Sequence, residues 1–223
     1  MSKVVHPYSH RLVTLRDWKS RWFATDKNYV NNLAVDITVR EYLEKRLRGS
    51  YLSSVEIERG QKALRIILRT SRPGMIIGRS GEGATKLKAD IVKELKRKKL
   101  SVTDDIKLEI QEVTSPDADA KIVAYMIAEG LEKRLPYRRV MKQLIEKVMA
   151  VRGVQGVKFY LGGRLGGAEI SRSEELKRGS IPLQTIRADI DYARERANLA
   201  YGVIGIKVWI YKGQVFNKDQ KDK

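Results

Sequence analysis

The feature that most constrains the fold is a glycine-rich loop set between a short apolar turn and an amphipathic helix. The loop reads Gly78-Arg79-Ser80-Gly81, a GxxG with a cationic first insert. Because glycine has no Cβ, the backbone of such a loop can come close to a sugar-phosphate chain. The amides that open the following helix favour an anion at the same place. A GxxG alone is too short to be specific, so the order of the flanking elements decides its meaning.

Those flanking residues predict a defined order of helices and strands. The first helix is predicted from Asp36 to Arg48, with Asp36 as its N-cap. Two strands precede the loop, and a helix to about Lys99 and a third strand follow it. Their alternating apolar positions are Val55, Ile57, Leu64, Ile66, Leu68, Ile106, Leu108 and Ile110. The order α-β-β-α-α-β, with the GxxG between the last two helices, resembles a type II KH domain, whose loop clamps about four nucleotides.

The charge of the chain predicts a polyanionic partner. Lysine and arginine number 45 against 27 acidic residues, a net charge of +18. A membrane is the less favoured polyanion, because no apolar run reaches the roughly 18 residues of a spanning helix. The helix after the GxxG is especially basic, with Lys86, Lys88, Lys93, Lys96, Arg97, Lys98 and Lys99. Such a face can be merely solvated, but its excess over nearby carboxylates favours phosphate contact.

Nothing in the sequence indicates a cofactor, a metal site or a catalytic centre. The chain has no cysteine, which fits a reducing cytoplasm. Its two histidines, His6 and His10, are too few for a zinc site without cysteine. The acidic residues lack paired or metal-ligand spacing, and Gly78-x-x-Gly81-x-Gly83 is neither a Walker loop nor a dinucleotide motif. We therefore expect a binding protein and not an enzyme.

Residues 1–34 are predicted to form an irregular basic arm. Trp18, Trp22 and Phe23 are interleaved with arginine and lysine. That composition fits an RNA-facing arm, in which aromatic rings stack on bases. It fits equally well an arm whose aromatic residues pin it to the next domain. The sequence leaves both alternatives open.

A second α+β unit is predicted from residue 114. Ser115-Pro116 suits a helix start, and Pro136 separates this helix from a second one with a matched apolar stripe. Three strands are predicted next, with apolar positions at Val157, Phe159 and Leu161, at Ile186, Ala188 and Ile190, and at Ile204, Ile206, Val208 and Ile210. The predicted arrangement is two helices on one face of a sheet. Residues from Lys212 onward are expected to form a polar tail.

The second helix of this unit carries a cationic face. Arg138, Arg139 and Lys142 are three or four residues apart and share one side, with no acidic residue among them. Like charges held so close lower stability unless an anion binds there. Alternatively, Glu146 could offset Lys142. We interpret the face as a candidate RNA contact.

A second GxxG lies within Gly162-Gly163-Arg164-Leu165-Gly166-Gly167. No helical pattern follows it, so we interpret it as a tight connection between strands and not as a second nucleotide clamp. Arg164 and Arg172 keep the surrounding region basic. Both are therefore counted among the candidate RNA-binding residues.

Five longer motifs occur together in this chain: KVVHP at 3–7, RPGMIIG at 72–78, GRLGGAEI at 163–170, RADIDY at 187–192 and YGVIGIKVWI at 201–210. In combination they resemble the bacterial type of the small-subunit ribosomal protein S-three family. The resemblance covers nearly the whole chain. One departure is that the family often has two lysines inside the GxxG, where this chain has Arg79 and Ser80.

The resemblance implies a structural protein of the head of the small ribosomal subunit in the cytoplasm. It implies a type II KH domain followed by a carboxy-terminal α+β domain. With the residue patterns above, the predicted division is a basic arm (1–34), the KH domain (35–113), the α+β domain (114–211) and a polar tail (212–223). The implied partners are small-subunit rRNA, mRNA and the tenth and fourteenth small-subunit proteins, with no membrane. Arg138, Arg139 and Lys142 match the family's basic residues where mRNA enters, which are linked to unwinding of structured mRNA. The alternative is a free-standing KH regulator or assembly factor, against which the long carboxy-terminal domain argues.

Overall fold

The computed structural model describes residues 5–60, 63–100 and 105–216 of the 223-residue chain. By their contacts the residues divide into two units. One spans Trp18–Thr114, and the other joins the described residues up to Asp17 to those from Ser115 onward. The predicted arm of residues 1–34 is therefore not one piece, since its described part divides at Asp17. We call the two units the KH unit and the carboxy-terminal unit.

The helices are α1 Pro7–His10, α2 Asp26–Arg46, α3 Pro73–Ile77, α4 Glu82–Arg97, α5 Ala120–Glu132 and α6 Tyr137–Met149. The strands are β1 Ser20–Arg21, β2 Leu52–Arg59, β3 Ala63–Thr70, β4 Asp105–Glu112, β5 Gly156–Gly163, β6 Arg172–Gly179, β7 Ala188–Leu199 and β8 Gly202–Gln214. Short 3-10 turns lie at Arg48–Ser50, Arg79–Gly81, Pro116–Ala118 and Leu165–Gly167. Within the described residues, no helix is both long and apolar enough to cross a bilayer.

The KH unit has the predicted type II order around a sheet of strand order β1-β2-β3-β4. β2 and β3 pair antiparallel, whereas β3 and β4 pair parallel. A parallel pair needs a crossover connection, and the segment from α3 to α4 supplies it. Leu87, Ile91 and Leu95 recur every four residues on α4 and are buried in the core. Their spacing is what places the GxxG at the start of a helix held firmly against the sheet.

The first helix of the KH unit begins at Asp26, so the predicted start at Asp36 was wrong. Asp36 is buried inside α2, where its Oδ2 accepts a hydrogen bond of 2.7 Å from Trp22 Nε1. Trp22 is thus anchored to the KH unit, as one of the two alternatives for the arm requires. Phe23 is 90% exposed and does not serve as such an anchor. The first half of α2 buries little apolar surface, so it lacks the periodicity that predicts helices.

The carboxy-terminal unit confirms the prediction of two helices on one face of a sheet. Its four strands are antiparallel in the order β6-β5-β8-β7. The helices α5 and α6 cover one face, and Phe159, Val208 and Ile145 lie in the core between them. The N-cap of α5 is Asp119, whose Oδ1 accepts hydrogen bonds from the amides of Lys121 and Ile122 at 2.9 and 3.1 Å. The predicted cap at Ser115 was therefore wrong.

Three strands in this unit differ from the prediction. β6 was missed, because it is an edge strand whose residues are mostly polar on both faces. β7 begins at Ala188, and Ile186 is exposed before it. β8 continues through Lys212 to Gln214, so the predicted tail starts too early; residues 217–223 lie outside the described part. The antiparallel pairing of β5 with β6 confirms that the second GxxG connects two strands.

Candidate nucleic-acid interface

The GxxG loop has the backbone geometry that needs glycine. Gly78 has φ +71° and Gly81 has φ +81°, a region that glycine adopts without the strain a Cβ brings. Ser80 is also left-handed, with φ +52°. The side chains of Arg79 and Ser80 are exposed to solvent. The loop therefore presents backbone and one guanidinium outward, as a nucleotide-backbone contact requires.

A third glycine, Gly83, holds this loop in place. A Cβ at Gly83 would lie 2.5 Å from the carbonyl oxygen of Ile76 and 2.8 Å from that of Ile77. Those distances are below contact, so only glycine lets the end of α3 and the start of α4 come this close. In the sequence, Gly83 stands out only as a residue that excludes other loop motifs. Its two-residue spacing after Gly81 was the signal that could have identified it.

The positive charge on α4 is smaller in effect than the sequence suggested. Lys86 lies 3.6 Å from Glu82, Lys88 lies 2.9 Å from Asp105, and Arg97 lies 2.6 Å from Glu94. The hydrogen bond from Lys88 lowers the pKa of Asp105. These pairs are exposed, and each contributes little to stability. Lys86 therefore remains accessible to a phosphate, although it already has a carboxylate beside it.

The cationic face of α6 is formed by Arg138, Arg139 and Lys142, all three of them exposed. The expectation that no carboxylate lies among them was wrong, because Glu174 reaches the face from β6. Glu174 Oε1 accepts 2.9 Å from Arg138 Nη2 and 2.7 Å from the hydroxyl of Tyr137. The hydrogen bond from Arg138, and to a smaller extent the one from Tyr137, lowers the pKa of Glu174. This partner was not predicted, because it lies on β6, an edge strand without an alternating apolar pattern.

Arg139 and Lys142 differ from Arg138 in having no ion-pair partner within the described residues. The alternative in which Glu146 offsets Lys142 therefore has no ion pair to support it in this part of the chain. Two exposed cations remain on the outer side of α6, beside a third whose guanidinium is held by Glu174. This arrangement suits phosphate binding, because α6 is packed on the sheet and its outer cations are open to solvent.

The structure separates the roles of Arg164 and Arg172. Arg164 donates to the carbonyl oxygens of Ala168 at 2.8 Å and Tyr201 at 3.2 Å, which ties its own loop to the β7–β8 turn. Arg172 is exposed at the start of β6 and acts electrostatically on Glu174. Arg172 is thereby brought to the α6 face, whereas Arg164 is largely occupied by intramolecular bonds. Among the described residues, no cluster of three or more metal-ligating side chains is present.

Comparison with known proteins identifies two family matches. A model described as "KH domain" matches residues 38–118, and one described as "Ribosomal protein S3, C-terminal domain" matches residues 127–210. The chain is similar to the small ribosomal subunit protein uS3 of Clostridium novyi, with 44% identity over 215 residues, 96% of this chain and 94% of the relative. It is 41% identical over 222 residues to the uS3 of Pseudomonas aeruginosa, covering 100% and 94% of the two chains. The uS3 of Exiguobacterium sibiricum is 46% identical over 215 residues, covering 96% and 95%.

Proposed function

Because the chain belongs to the uS3 family of small-ribosomal-subunit proteins, we propose that the α6 face contacts mRNA where it enters the ribosome. As a member of this family the protein is a structural component of the small subunit with rRNA as its partner, and it is not an enzyme. The further proposal is that Arg138, Arg139 and Lys142 hold mRNA phosphates without reading bases. They thereby help to open paired mRNA.

The observation that carries this proposal is the exposure of Arg139 and Lys142 without ion-pair partners in the described part of the chain. The face lies opposite the buried stripe of α6, which includes Val140, Met141 and Ile145. The cations are therefore presented by a helix that is itself fixed to the sheet. Charge alone attracts any sequence equally. The chain has no Walker motif, so the work of unwinding would come from the movement of the ribosome along the message.

The KH unit supports a second part of the proposal, contact with rRNA and with neighbouring proteins. The GxxG loop offers backbone and Arg79 to an RNA strand. Along α2, Val30, Leu33 and Ile37 are 67, 41 and 47% exposed, four or three residues apart on one side. RNA does not satisfy such an apolar strip, but another protein does. We assign the tenth and fourteenth small-subunit proteins as the neighbours of this unit.

We expect ribosomes carrying Arg138→Ala, Arg139→Ala and Lys142→Ala together to translate hairpin-containing messages more slowly than unmodified ribosomes. Unstructured messages should be translated at an unchanged rate, because a free strand needs no phosphate grip to stay open. These exposed substitutions should each change stability by no more than about 0.5 kcal/mol. The measurement is the translation time of two messages that differ only in the presence of a stable hairpin.

The matched control for this experiment is Glu174→Gln. This substitution removes the ion pair of Arg138 but keeps all three cations, so it should not slow the hairpin message. Equal slowing on both messages by the triple variant, or no slowing on either, would contradict the role at the mRNA. Slowing by Glu174→Gln as large as that of the triple variant would show that the effect is one of local packing.

A double substitution, Arg79→Asp with Ser80→Asp, tests the GxxG loop. We expect the affinity of the protein for single-stranded RNA to fall about ten-fold, equivalent to about 1.4 kcal/mol, because two carboxylates would repel the phosphates. The inserts are better targets than the glycines, since a side chain at Gly78 would be strained at φ +71° and its Cβ would lie 3.1 Å from the Gly83 nitrogen. RNA binding is measured by fluorescence anisotropy and folding by thermal melting. If the variant is folded and its RNA affinity is unchanged, the loop is a structural turn and does not contact RNA.

The alternative of a free-standing KH regulator or assembly factor predicts a different association with the ribosome. A transient factor would dissociate from small subunits in high salt, whereas a structural component stays in equal number with the subunit. We expect one copy of this protein in each salt-washed small subunit. Quantitative mass spectrometry of purified subunits measures this.

A further inference from the structure

The sheet of the carboxy-terminal unit has a second face, opposite α5 and α6, that is covered over only part of its area. At one end Ile190, Trp209 and Tyr211 form a small apolar cluster with Ile181 and Leu183, and the partly buried Tyr160 packs against the border of that cluster. His6 of the amino-terminal segment packs edge-on against Tyr192 beside it, with ring centroids 4.7 Å apart. Toward the other end the side chains of this face are exposed. We call that end the open half of the sheet.

The open half is strongly basic. Register places Lys207 of β8 between Tyr160 of β5 and Arg194 of β7. Tyr160 in turn faces Glu175 of β6, so four side chains form one row across the sheet. The cations of the open half are Arg194, Arg196 and Lys207, whereas Lys158 and Lys177 lie on the same face in the row of Trp209, at the covered end. On the paired residues of the same face, the carboxylate is Glu175, which lies 2.7 Å from Lys158 Nζ. Arg194 and Lys207 are exposed and have no carboxylate partner within the described residues.

An aromatic ring and two glycines lie among these cations. The Tyr160 ring lies over Gly162, since a Cβ added there would be 3.3 Å from Tyr160 Cε1. Gly162 faces Gly205 across the β5–β8 pair, so no side chain rises from the sheet at either position. Lys207 Nζ lies 5.3 Å from the centroid of the Tyr160 ring. The result is a flat floor with one partly exposed ring and positive charge at its edge.

The outer face of the KH sheet shows that such a charge surplus is not general in this protein. There, Arg21 and Arg65 are ion-paired with Glu58, and Arg69 is paired with Glu56. Carboxylates and guanidiniums alternate on that face and offset each other. In the carboxy-terminal unit, the strands instead place the cations next to an aromatic ring and glycine. Charge complementarity therefore indicates a polyanion, and the ring indicates one that carries planar groups.

We propose that the open half of this sheet is a binding site for single-stranded RNA. Arg194 and Lys207 contact phosphates, and a base or ribose packs on the Tyr160 ring over Gly162. The strand is unpaired because a base must leave its stack to reach an aromatic side chain. The site lies on the face of the sheet opposite α6. It therefore does not depend on the proposed mRNA contact of the α6 face.

The first test compares two double variants of the full-length protein that lose the same charge. Arg194→Ala with Lys207→Ala removes two cations from the open half, whereas Lys133→Ala with Arg152→Ala removes two exposed cations elsewhere in the same unit. Binding of a fluorescent oligouridylate is measured by anisotropy over a range of salt concentrations. We expect the first variant to weaken binding about ten-fold and to lower the log–log salt slope by roughly 1.4, since each single-strand phosphate contributes about 0.7. The control variant should change affinity less than about two-fold.

The second test locates the RNA directly. Thiouridine-substituted RNA is cross-linked to the unmodified protein, and the modified peptides are identified by mass spectrometry. We expect a cross-link at Tyr160, and we expect it to persist in the Arg138→Ala, Arg139→Ala, Lys142→Ala variant. Failure of the α6 proposal would leave that cross-link unchanged. Equal affinities for the two double variants, with no cross-link in β5 or β8, would overturn the proposal. The proposal would also be overturned if small subunits carrying Arg194→Ala with Lys207→Ala lacked a neighbouring protein while the RNA affinity of the variant was unchanged. This face would then be a protein interface.

Discussion

Replacing Arg11 by alanine should destabilise the carboxy-terminal unit by several kcal/mol, because each buried carbonyl oxygen left without a donor costs about 1–3 kcal/mol. Arg11 is fully buried, and burial lowers the pKa of its guanidinium. Its nitrogen atoms donate to backbone carbonyl oxygens of Pro7, Pro182, Leu183, Thr185 and Ala188, at distances of 2.6 to 3.4 Å. Removing the side chain would take a donor from each of these carbonyl oxygens, of which Thr185 O keeps the amide of Ala188 at 3.2 Å, and would open a void where a large residue was packed.

Hydrogen exchange of the β7 and β8 amides measures this loss within the unit concerned. Arg11→Lys is the informative companion variant, because lysine keeps the charge but has no planar fork to reach several carbonyls at once. We expect the amide protection of Arg11→Lys to lie between that of the unmodified protein and that of the alanine variant. Arg152→Ala serves as an exposed control that should stay within about 0.5 kcal/mol. If the β7 and β8 amides of Arg11→Ala were as protected from exchange as those of this control, a structural role for the buried guanidinium would be contradicted.

Gly83→Ala is expected to destabilise the KH unit by about 1–3 kcal/mol, the range typical of overpacking. The sign of the change in stability distinguishes this position from an ordinary helical glycine. Alanine in place of a helical glycine ordinarily stabilises by about 1 kcal/mol. At Gly83 the added Cβ would lie 2.5 Å from a backbone oxygen, which cannot move aside as a flexible side chain can. The end of α3 must then shift, and the GxxG loop with it.

Gly74→Ala is the matched control, since nothing lies within 4 Å of a Cβ at that position in α3. It should leave stability unchanged or raise it slightly. Chemical unfolding of both variants, followed by RNA binding, separates packing from contact. If Gly83→Ala were as stable as Gly74→Ala, the close approach of the two helices would not be required. We expect the Gly83 variant to lose RNA affinity together with stability.

Local periodicity predicted the elements whose burial follows a regular pattern. The stripes of α4, α5 and α6 and the alternation of β2, β3, β5 and β8 were predicted because each buries one face. The same reasoning failed for the first half of α2, where Val30 and Leu33 are exposed and no stripe forms. It failed for β6, an edge strand whose residues mostly face solvent. In both places the local sequence lacks the pattern: β6 is held by its pairing with β5, and the exposed half of α2 continues into a half that buries Val35, Val39 and Leu43.

The candidate site was predictable only as far as residues close in sequence define it. The spacing of Arg138, Arg139 and Lys142 placed them on one helical face, and that placement is correct. Glu174 reaches Arg138 from 36 residues away, so no helical spacing could indicate it. The same holds for Arg164, whose partner Tyr201 lies 37 residues further on. Long-range hydrogen bonds decide which cations stay available, and a single sequence does not encode them in any local pattern.

The burial of Arg11 also sets an order of events during synthesis of the chain. Its acceptor at Ala188 is made 177 residues later. At about 5–20 residues per second, the amino-terminal segment has no docking surface for roughly 10–35 s. The KH unit is contiguous in sequence and can fold during that interval. A chaperone or rRNA that shields the waiting segment would therefore act on a nascent chain whose first half is already folded, and a premature stop before β7 would leave that segment permanently undocked.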